Sequence, residues 1–234
     1  MHVKAVLFDL DGTLASFNLD YRTVRALVKA YLAEKGVPDS LLSVDESVFE
    51  MLRKTEDWAK KAGKPDEFIQ VRAEALAITE KHELEAATST ILLPGVSETL
   101  KALRGMGLKI GLCTINSQKS VSTILERFGI AKLFDVTVTR NQVAHVKPDP
   151  EHIEAALKVL GVSARGAVFV GDSSVDMRSA RGLGAVAVGL PTGVSTVEQL
   201  MSSGADYIVT SMFDLPALIE KIDKSHTENV KDKK

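Results

Sequence analysis

Two acidic side chains follow the first apolar run of the chain. Val3 to Phe8 is almost continuously apolar, the pattern of a strand buried on both faces of a parallel sheet, and Asp9 and Asp11 come directly after it. Positions two apart in an extended chain share a face, so we expect both carboxylates on one side. At ~4 Å and an effective dielectric near 20, such a pair repels by about 4 kcal/mol. The pattern therefore predicts a bound cation near Gly12, which ends the strand.

A second pair of acids follows a later apolar run. Asp172 and Asp176 lie beyond Ala167 to Val170, four residues apart at the start of a predicted helix. Acids in this position also cap helices and favour the helix dipole, so by themselves they fit a cap and a metal ligand equally well. Together with Asp9 and Asp11 they place four carboxylates at two strand ends. Hard oxygen ligands of this kind suit Mg²⁺, which is the cofactor we predict.

Polar residues suited to phosphate follow two other predicted strands. Thr114 ends the run Leu108 to Thr114, and Asn116 follows at a helix start, where backbone N–H groups and the Thr114 hydroxyl would form an anion cradle. Lys147 precedes Pro148-Asp149-Pro150, a proline-stiffened loop that can hold a lysine at a fixed point. Each signal is weak alone, because Ser, Thr and Asn are ordinary helix caps. With the carboxylates, they predict a site for Mg²⁺ and a phosphate group.

Composition narrows the class of protein. The chain has 234 residues, of which 45% are hydrophobic and 26% charged, as in ordinary globular proteins. Its formal charge of −2 gives no argument for nucleic acid or an anionic membrane as a partner, and no apolar stretch approaches the ~20 residues that span a bilayer. The single cysteine, Cys113, excludes an intrachain disulfide and a cysteine metal cluster. We expect a cytoplasmic protein without a nucleic-acid or membrane partner.

Strand and helix patterns alternate from about residue 90 to 224. This rhythm predicts an α/β fold with a doubly wound, mainly parallel sheet that includes the first strand of the chain. The predicted strands are Leu108–Thr114, Phe134–Thr139, Ala167–Gly171, Ala185–Leu190 and Tyr207–Thr210. The predicted helices include Ser117–Phe128, Pro150–Leu160, Val175–Arg181 and Thr196–Ser202.

Residues 16–89 have a different pattern, with helical periodicity and no strand candidate. They predict an inserted all-helical cap domain, placed where a lid over the sheet's carboxyl edge would lie. Residues 1–15 and 90–224 then form the α/β core, and 225–234 form a charged, flexible tail. One apolar stripe predicted to face the cap core comprises Tyr21, Val24, Leu27 and Tyr31.

The polar segments, taken in chain order, resemble the four motifs of a known superfamily. They are Asp9-x-Asp11-Gly-Thr-Leu, Thr114, Lys147-Pro-Asp-Pro and Gly171-Asp-Ser-Ser-Val-Asp176. The chain resembles the haloacid dehalogenase (HAD) superfamily, and more narrowly its phosphoglycolate phosphatase and β-phosphoglucomutase-like branch, which carries a helical cap on a Rossmann-like core. The resemblance covers about residues 3 to 220.

The resemblance implies a role for each motif residue. Asp9 would be the nucleophile, and Asp11 the general acid and then the general base. Thr114 and Lys147, with Asn116 in the cradle, would hold the phosphoryl oxygens. Mg²⁺ would be ligated by Asp9, by the main-chain carbonyl of Asp11, by Asp172, and by Asp176 directly or through water.

The implied activity is Mg²⁺-dependent hydrolysis of a small phosphorylated metabolite through an aspartyl-phosphate intermediate. Two alternatives stay open: a phosphomutase or phosphotransferase of the β-phosphoglucomutase type, and a non-catalytic phosphate-binding protein. The chain departs from the family pattern at Ala15-Ser16, where a polar pair is common, and at Asn116, which stands two places after Thr114. The substrate and the oligomeric state are left open.

Overall fold

The central sheet carries the polar motifs. A computed structural model describes residues 2–16 and 18–231, with side chains through Lys224. The strands are β1 (Ala5–Phe8), β2 (Lys109–Cys113), β3 (Val136–Val138), β4 (Ala167–Gly171), β5 (Val186–Gly189) and β6 (Tyr207–Ile208). They form one sheet in the order β3-β2-β1-β4-β5-β6, and every neighbouring pair is parallel. The prediction of a doubly wound α/β fold is confirmed.

Nine α-helices lie within the described residues. They are α1 (Tyr21–Glu34), α2 (Val48–Lys61), α3 (Pro65–Ser89), α4 (Val96–Gly105), α5 (Gln118–Arg127), α6 (Pro150–Leu160), α7 (Ser174–Leu183), α8 (Val197–Ser202) and α9 (Leu215–Lys231). In the part of the chain that the structure describes, none of these helices is both long and apolar enough to cross a lipid bilayer.

Local sequence signals account for the helix ends. Pro150 stands at the first position of α6, where its missing N–H costs nothing, and Gly161 ends that helix in the left-handed region at φ 65°. Ser173 and Asp176 form a capping box at the start of α7. The predicted strands agree with the observed ones to within two residues at each end.

The chain divides into two compact units, one of Asn18–Ser89 and one of Met1–Phe17 with Thr90–Lys234. The first unit contains only α1, α2, α3 and a short 3₁₀ turn. Its core differs in one respect from the predicted stripe: Val24, Val28 and Leu32 are buried, whereas Leu27 is 43% exposed. Both stripes of α1 are apolar, and packing against the neighbouring helices selects the one that begins at Val24. The role of this unit as a lid stays a prediction.

Helix α9 reaches into the stretch predicted as a tail. Leu215, Ile219 and Ile222 are buried at helical spacing, and from this anchor the backbone stays helical through Lys231. The tail predicted for 225–234 therefore begins as helix. Its flexibility stays a prediction, and positions 232–234 lie outside the described residues.

The order of the strands sets where a site can form. β1 lies between β2 and β4, and the chain first moves outward through β2 and β3 before it crosses to β4 on the other side. In open α/β sheets, ligands bind at the carboxyl ends of the strands where this direction reverses. That point lies between β1 and β4, where Asp9 N–H donates to the Val170 carbonyl at 3.0 Å.

Candidate active site

A buried lysine joins two of the predicted carboxylates. Lys147, in the loop between β3 and α6, places Nζ 2.7 Å from Asp9 Oδ1 and 2.6 Å from Asp176 Oδ1. The side chains of Lys147 and Asp176 are only 3% and 2% exposed. Asp176 Oδ2 accepts the Ser173 N–H at 3.1 Å, so this acid caps α7 with one oxygen and pairs with Lys147 through the other. The helix-cap interpretation of Asp176 is therefore confirmed, and its role as a metal ligand stays a prediction.

Three carboxylates converge around this lysine. Single oxygens of Asp9, Asp172 and Asp176 all lie within 4.8 Å of one another, and all three residues are buried. With Lys147 as the ammonium in contact, the group would hold two negative charges in excess when all three acids are ionised. Burial of unpaired charge is unfavourable, and a divalent cation with hard oxygen ligands removes the excess. The residues present therefore fit Mg²⁺.

Burial and mutual repulsion shift the protonation of these groups. Burial raises the pKa of Asp9 against the opposing effect of Lys147, and the Asp176 carboxylate raises it further. Burial also raises the pKa of Asp172, with Asp9 and Asp176 adding to the shift. Burial opposes the charge of Lys147, yet its pKa is raised because the carboxylates of Asp176 and Asp9 outweigh that effect. Lys147 thus stays charged while the two acids favour protonation when no metal is bound.

The metal-free protein is expected to lose stability as the pH rises. The pKa of Asp9 and of Asp172 lies above the ordinary 3.8, so the folded protein binds more protons than the unfolded chain. The contribution of these two acids to the unfolding free energy should therefore be fully present below 3.8 and be lost as the pH rises through the raised folded pKa values. Mg²⁺ binds the deprotonated acids, so it should restore stability most at high pH.

Urea unfolding in EDTA and in Mg²⁺, at about pH 5 and about pH 8, measures both effects. The fall between the two pH values should be smaller in the Asp172→Asn variant, which lacks one of the responsible acids. Metal-free stability that increases over this interval in the wild type would contradict the expectation.

The Asp11 carboxylate has a different hydrogen-bond partner from that of Asp9. β1 ends at Phe8, and the Leu14 and Ala15 N–H groups both donate to the Leu10 carbonyl, so Asp11 stands in a turn beyond the strand. Strand alternation therefore does not extend to Asp11, and the sharing of one face by Asp9 and Asp11 stays a prediction. Asp11 Oδ2 instead accepts a hydrogen bond from Asn116 Nδ2 at 2.7 Å.

The predicted anion cradle lies after β2. Thr114 is buried, its N–H donates to the Val138 carbonyl at 3.0 Å, and its Oγ1 accepts the Asn116 N–H at 3.3 Å. Ser117 is the N-cap residue of α5. The Asn116 amide, predicted to touch phosphate, is bonded to Asp11, so it connects the cradle with the predicted acid. Contact of Thr114 or Asn116 with phosphate stays a prediction.

Most of the chain matches a known family. Residues 3–184 match the family model described as haloacid dehalogenase-like hydrolase. The chain belongs to this family. Together with 32% identity to phosphoglycolate phosphatase, this match confirms the predictions of the superfamily and of a HAD-type phosphatase.

Individual relatives match the hydrolase over nearly its whole length. It is 32% identical over 234 residues to the phosphoglycolate phosphatase of Salmonella typhimurium, covering 93% of each chain. Among solved structures it resembles a predicted phosphoglycolate phosphatase from Haemophilus somnus, with a TM-score of 0.62, 26% identity, and coverage of 93% and 98%. It also resembles a β-phosphoglucomutase from Clostridium difficile, with a TM-score of 0.65, 21% identity, and coverage of 97% and 99%. This last likeness shows the fold alone.

In this HAD-family hydrolase, the Asp172 side chain is held by hydrogen bonds that the sequence did not predict. Asp172 Oδ2 accepts the Val194 N–H at 2.8 Å, and Asp172 Oδ1 lies 3.4 Å from the Thr13 hydroxyl. The Thr192 hydroxyl donates to the Gly12 carbonyl, which fastens the loop after β5 to the first motif. Thr13 belongs to the first motif and could have been singled out. The loop after β5 carried no comparable signal.

Two glycines make room for Asp172. Gly12 has φ 75°, and a Cβ there would lie 2.6 Å from Asp172 Oδ2; a Cβ at Gly193 would lie only 1.9 Å from the same oxygen. Because no Cβ fits at such distances, Gly193→Ala should displace Asp172 and lower Mg²⁺ affinity on the order of 10- to 100-fold. Mg²⁺ titration by calorimetry measures this change.

The matched control is Gly182→Ala, because nothing lies within 4 Å of the Cβ that would be added at Gly182 in α7. This variant should bind Mg²⁺ like the wild type. Equal Mg²⁺ affinities in the Gly193→Ala and Gly182→Ala proteins would contradict the role of the close approach between Gly193 and Asp172.

A second group of metal-ligating residue types is explained by the backbone. His145, Asp149 and Glu151 also bring one ligand atom each within 4.8 Å, but on the surface. Glu151 accepts the N–H groups of Ala144 and His145 at 2.9 and 3.0 Å, and Asp149 caps α6. These carboxylates complete a loop and a helix start, so the group is not assigned as a metal site.

Proposed function

We propose that this hydrolase uses Mg²⁺ to hydrolyse a small phosphate monoester through an aspartyl-phosphate formed on Asp9. The observation that carries the proposal is the buried ammonium of Lys147, held 2.7 Å from Asp9 and 2.6 Å from Asp176. A carboxylate can attack a phosphate dianion only where positive charge offsets their repulsion. Lys147 supplies such charge beside the carboxylate that would attack.

In the first half-reaction, a carboxylate oxygen of Asp9 attacks the phosphorus of the ester. The bond from phosphorus to the alcohol oxygen breaks, and protonated Asp11 gives its proton to the departing alkoxide. The Asn116 amide, 2.7 Å from Asp11 Oδ2, keeps this side chain in place. The products of this step are the free alcohol and phosphorylated Asp9.

In the second half-reaction, Asp11 is ionised and removes a proton from water while the water oxygen attacks the phosphorus. The bond from phosphorus to the Asp9 oxygen breaks, which regenerates the carboxylate and releases inorganic phosphate. During both steps Lys147 and the Thr114 hydroxyl hold phosphoryl oxygens, so negative charge is stabilised by groups that are already in position. The buried setting of Thr114 supports this role.

The metal ligands we propose are the carboxylates of Asp9, Asp172 and Asp176 and the main-chain carbonyl of Asp11. Their support is the convergence of three buried carboxylates with an excess of negative charge. When bound, Mg²⁺ would supply positive charge that stabilises the transferring phosphoryl group.

The proposed substrate is a small phosphorylated metabolite, and 2-phosphoglycolate is the first ester to test. Support for this choice is the 32% identity over 93% of each chain with a phosphatase named for that ester. We place the enzyme in the cytoplasm, since its single cysteine, Cys113, is buried and excludes an intrachain disulfide, as is usual in a reducing compartment.

The test is phosphate release from a panel of small phosphate esters, including 2-phosphoglycolate and hexose phosphates, in Mg²⁺ and in EDTA. The proposal expects release that depends on Mg²⁺ and stoichiometric appearance of the alcohol. Conversion of a hexose 1-phosphate to its 6-phosphate without phosphate release would replace hydrolysis with the mutase alternative. A folded protein that binds phosphate and turns over no ester would favour the non-catalytic alternative.

A further inference from the structure

A fully buried histidine lies directly behind the lysine of the site. His152, in the first turn of α6, has no exposed surface and contacts two backbone segments. Its Nδ1 accepts the backbone N–H of Lys147 at 3.3 Å, and its Nε2 lies 3.2 Å from the carbonyl oxygen of Val138.

The two partners define the protonation of the ring. A backbone N–H can only donate, so Nδ1 facing Lys147 must accept, and a carbonyl can only accept, so Nε2 facing Val138 must carry the proton. The neutral Nε2–H tautomer satisfies both contacts. Burial and the nearby charge of Lys147 lower the pKa of His152 to about 4, which keeps the ring neutral at ordinary pH.

The carbonyl of Val138 also connects His152 with the anion cradle. The same oxygen accepts the N–H of Thr114 at 3.0 Å, at the end of β2. The backbones of Thr114 and Lys147, the two residues proposed to hold phosphoryl oxygens, are therefore joined through Val138 and one imidazole ring. Lys147 itself lies in the loop between β3 and α6, outside the strands that hold Val138 and lead to Thr114.

We propose that His152 is a positioning residue that sets the backbone of Lys147 relative to Val138, so that the ammonium reaches Asp9 and Asp176. The inference rests on the role proposed for Lys147. His152 touches no reacting atom; it acts through the N–H that it accepts. Loops that carry catalytic groups need such support, because displacement by about 1 Å costs on the order of 100-fold in rate.

Two substitutions separate the two contacts of the ring. In His152→Asn the side-chain oxygen lies near the place of Nδ1 and can accept the Lys147 N–H, whereas the side chain is too short for Val138. In His152→Gln the amide nitrogen can reach the Val138 carbonyl, whereas the Lys147 N–H loses its acceptor. Each variant loses one buried hydrogen bond, so both should lose similar stability in urea unfolding.

The effect on catalysis should differ between the variants. His152→Gln is expected to lower kcat by about 10- to 100-fold with a smaller change in KM, and His152→Asn should stay within a few-fold of the wild type. A residue with only a structural role would lower kcat in proportion to stability in both variants. Equal kcat losses in the two proteins would therefore overturn the proposal.

A measurement on the wild type tests the geometry without any substrate. Nitrogen-15 NMR of the histidine rings should show His152 as the neutral Nε2–H tautomer throughout the neutral pH range. The Nδ1–H tautomer, or a ring that gains charge near its ordinary pKa of 6.5, would overturn the inference. If no ester is hydrolysed, the proposed function fails. The tautomer measurement still tests separately whether His152 makes its contacts with Lys147 and Val138.

Discussion

Asp9→Asn should abolish ester hydrolysis, with a loss of turnover on the order of 10⁴-fold or more. The amide is a poor nucleophile and cannot form the aspartyl-phosphate. The metal-free protein should nevertheless remain as stable as the wild type or become more stable, because burial raises the pKa of Asp9 and its charge is unfavourable there. Lys147 keeps its second carboxylate partner, Asp176, at 2.6 Å.

Phosphate release and urea unfolding of purified Asp9→Asn, each with and without Mg²⁺, measure these effects. Asp214→Asn is the matched control, since Asp214 is exposed in the same structural unit and should leave turnover unchanged. If the turnover of Asp9→Asn lies within 10-fold of the wild-type value, Asp9 is not the nucleophile.

Lys147→Met should reduce both turnover and metal-free stability. The substitution removes the ammonium that contacts Asp9 and Asp176 and leaves three buried carboxylates together. Removing one partner of a buried ion pair typically costs about 3–5 kcal/mol, and loss of one charge-stabilising group lowers kcat by on the order of 100- to 1,000-fold. The stability loss should be larger at high pH, where the carboxylates are ionised, and Mg²⁺ should recover part of it.

Lys158→Met is the matched control, because Lys158 is exposed on α6 a short distance along the chain. Lys147→Arg adds a second comparison: it restores the positive charge but with a larger, planar group, so it should recover stability more than kcat. Full activity in Lys147→Met would contradict the role of the ammonium in the reaction. Unchanged stability in EDTA would contradict its role as the counter-charge of Asp9 and Asp176.

The order of strands and helices could be predicted because each element carries its own signal. Ala167–Gly171 and Pro150–Leu160 were predicted with the bounds that the structure has. The first is a continuous apolar run, and the second begins at a proline and is followed by a glycine. The buried stripe of α1 was predicted with Leu27 inside it, and this side chain is 43% exposed. Periodicity alone does not say which of two apolar stripes meets the neighbouring helices.

The members of the site could be predicted more readily than their contacts. Parallel strands bring their carboxyl ends to one edge, so Asp9, Asp172 and Asp176 were expected to converge, and their oxygens lie within 4.8 Å of one another. The sequence did not indicate that Asn116 would bond Asp11 at 2.7 Å, since the two are 105 positions apart. Nor did it single out His152 behind Lys147 or the loop at Gly193 beside Asp172.

The sequence by itself determined the α/β class, the strand that delivers Asp9, and the kind of chemistry that four acids and a lysine can perform. These depend on local apolar patterns and on residue types, which are present in the chain before it folds. Only the tertiary structure decided that Lys147 lies between Asp9 and Asp176 and that Val194 and Gly193 enclose Asp172. Such contacts join residues far apart in sequence, and their distances are set by how the loops pack once the sheet has formed.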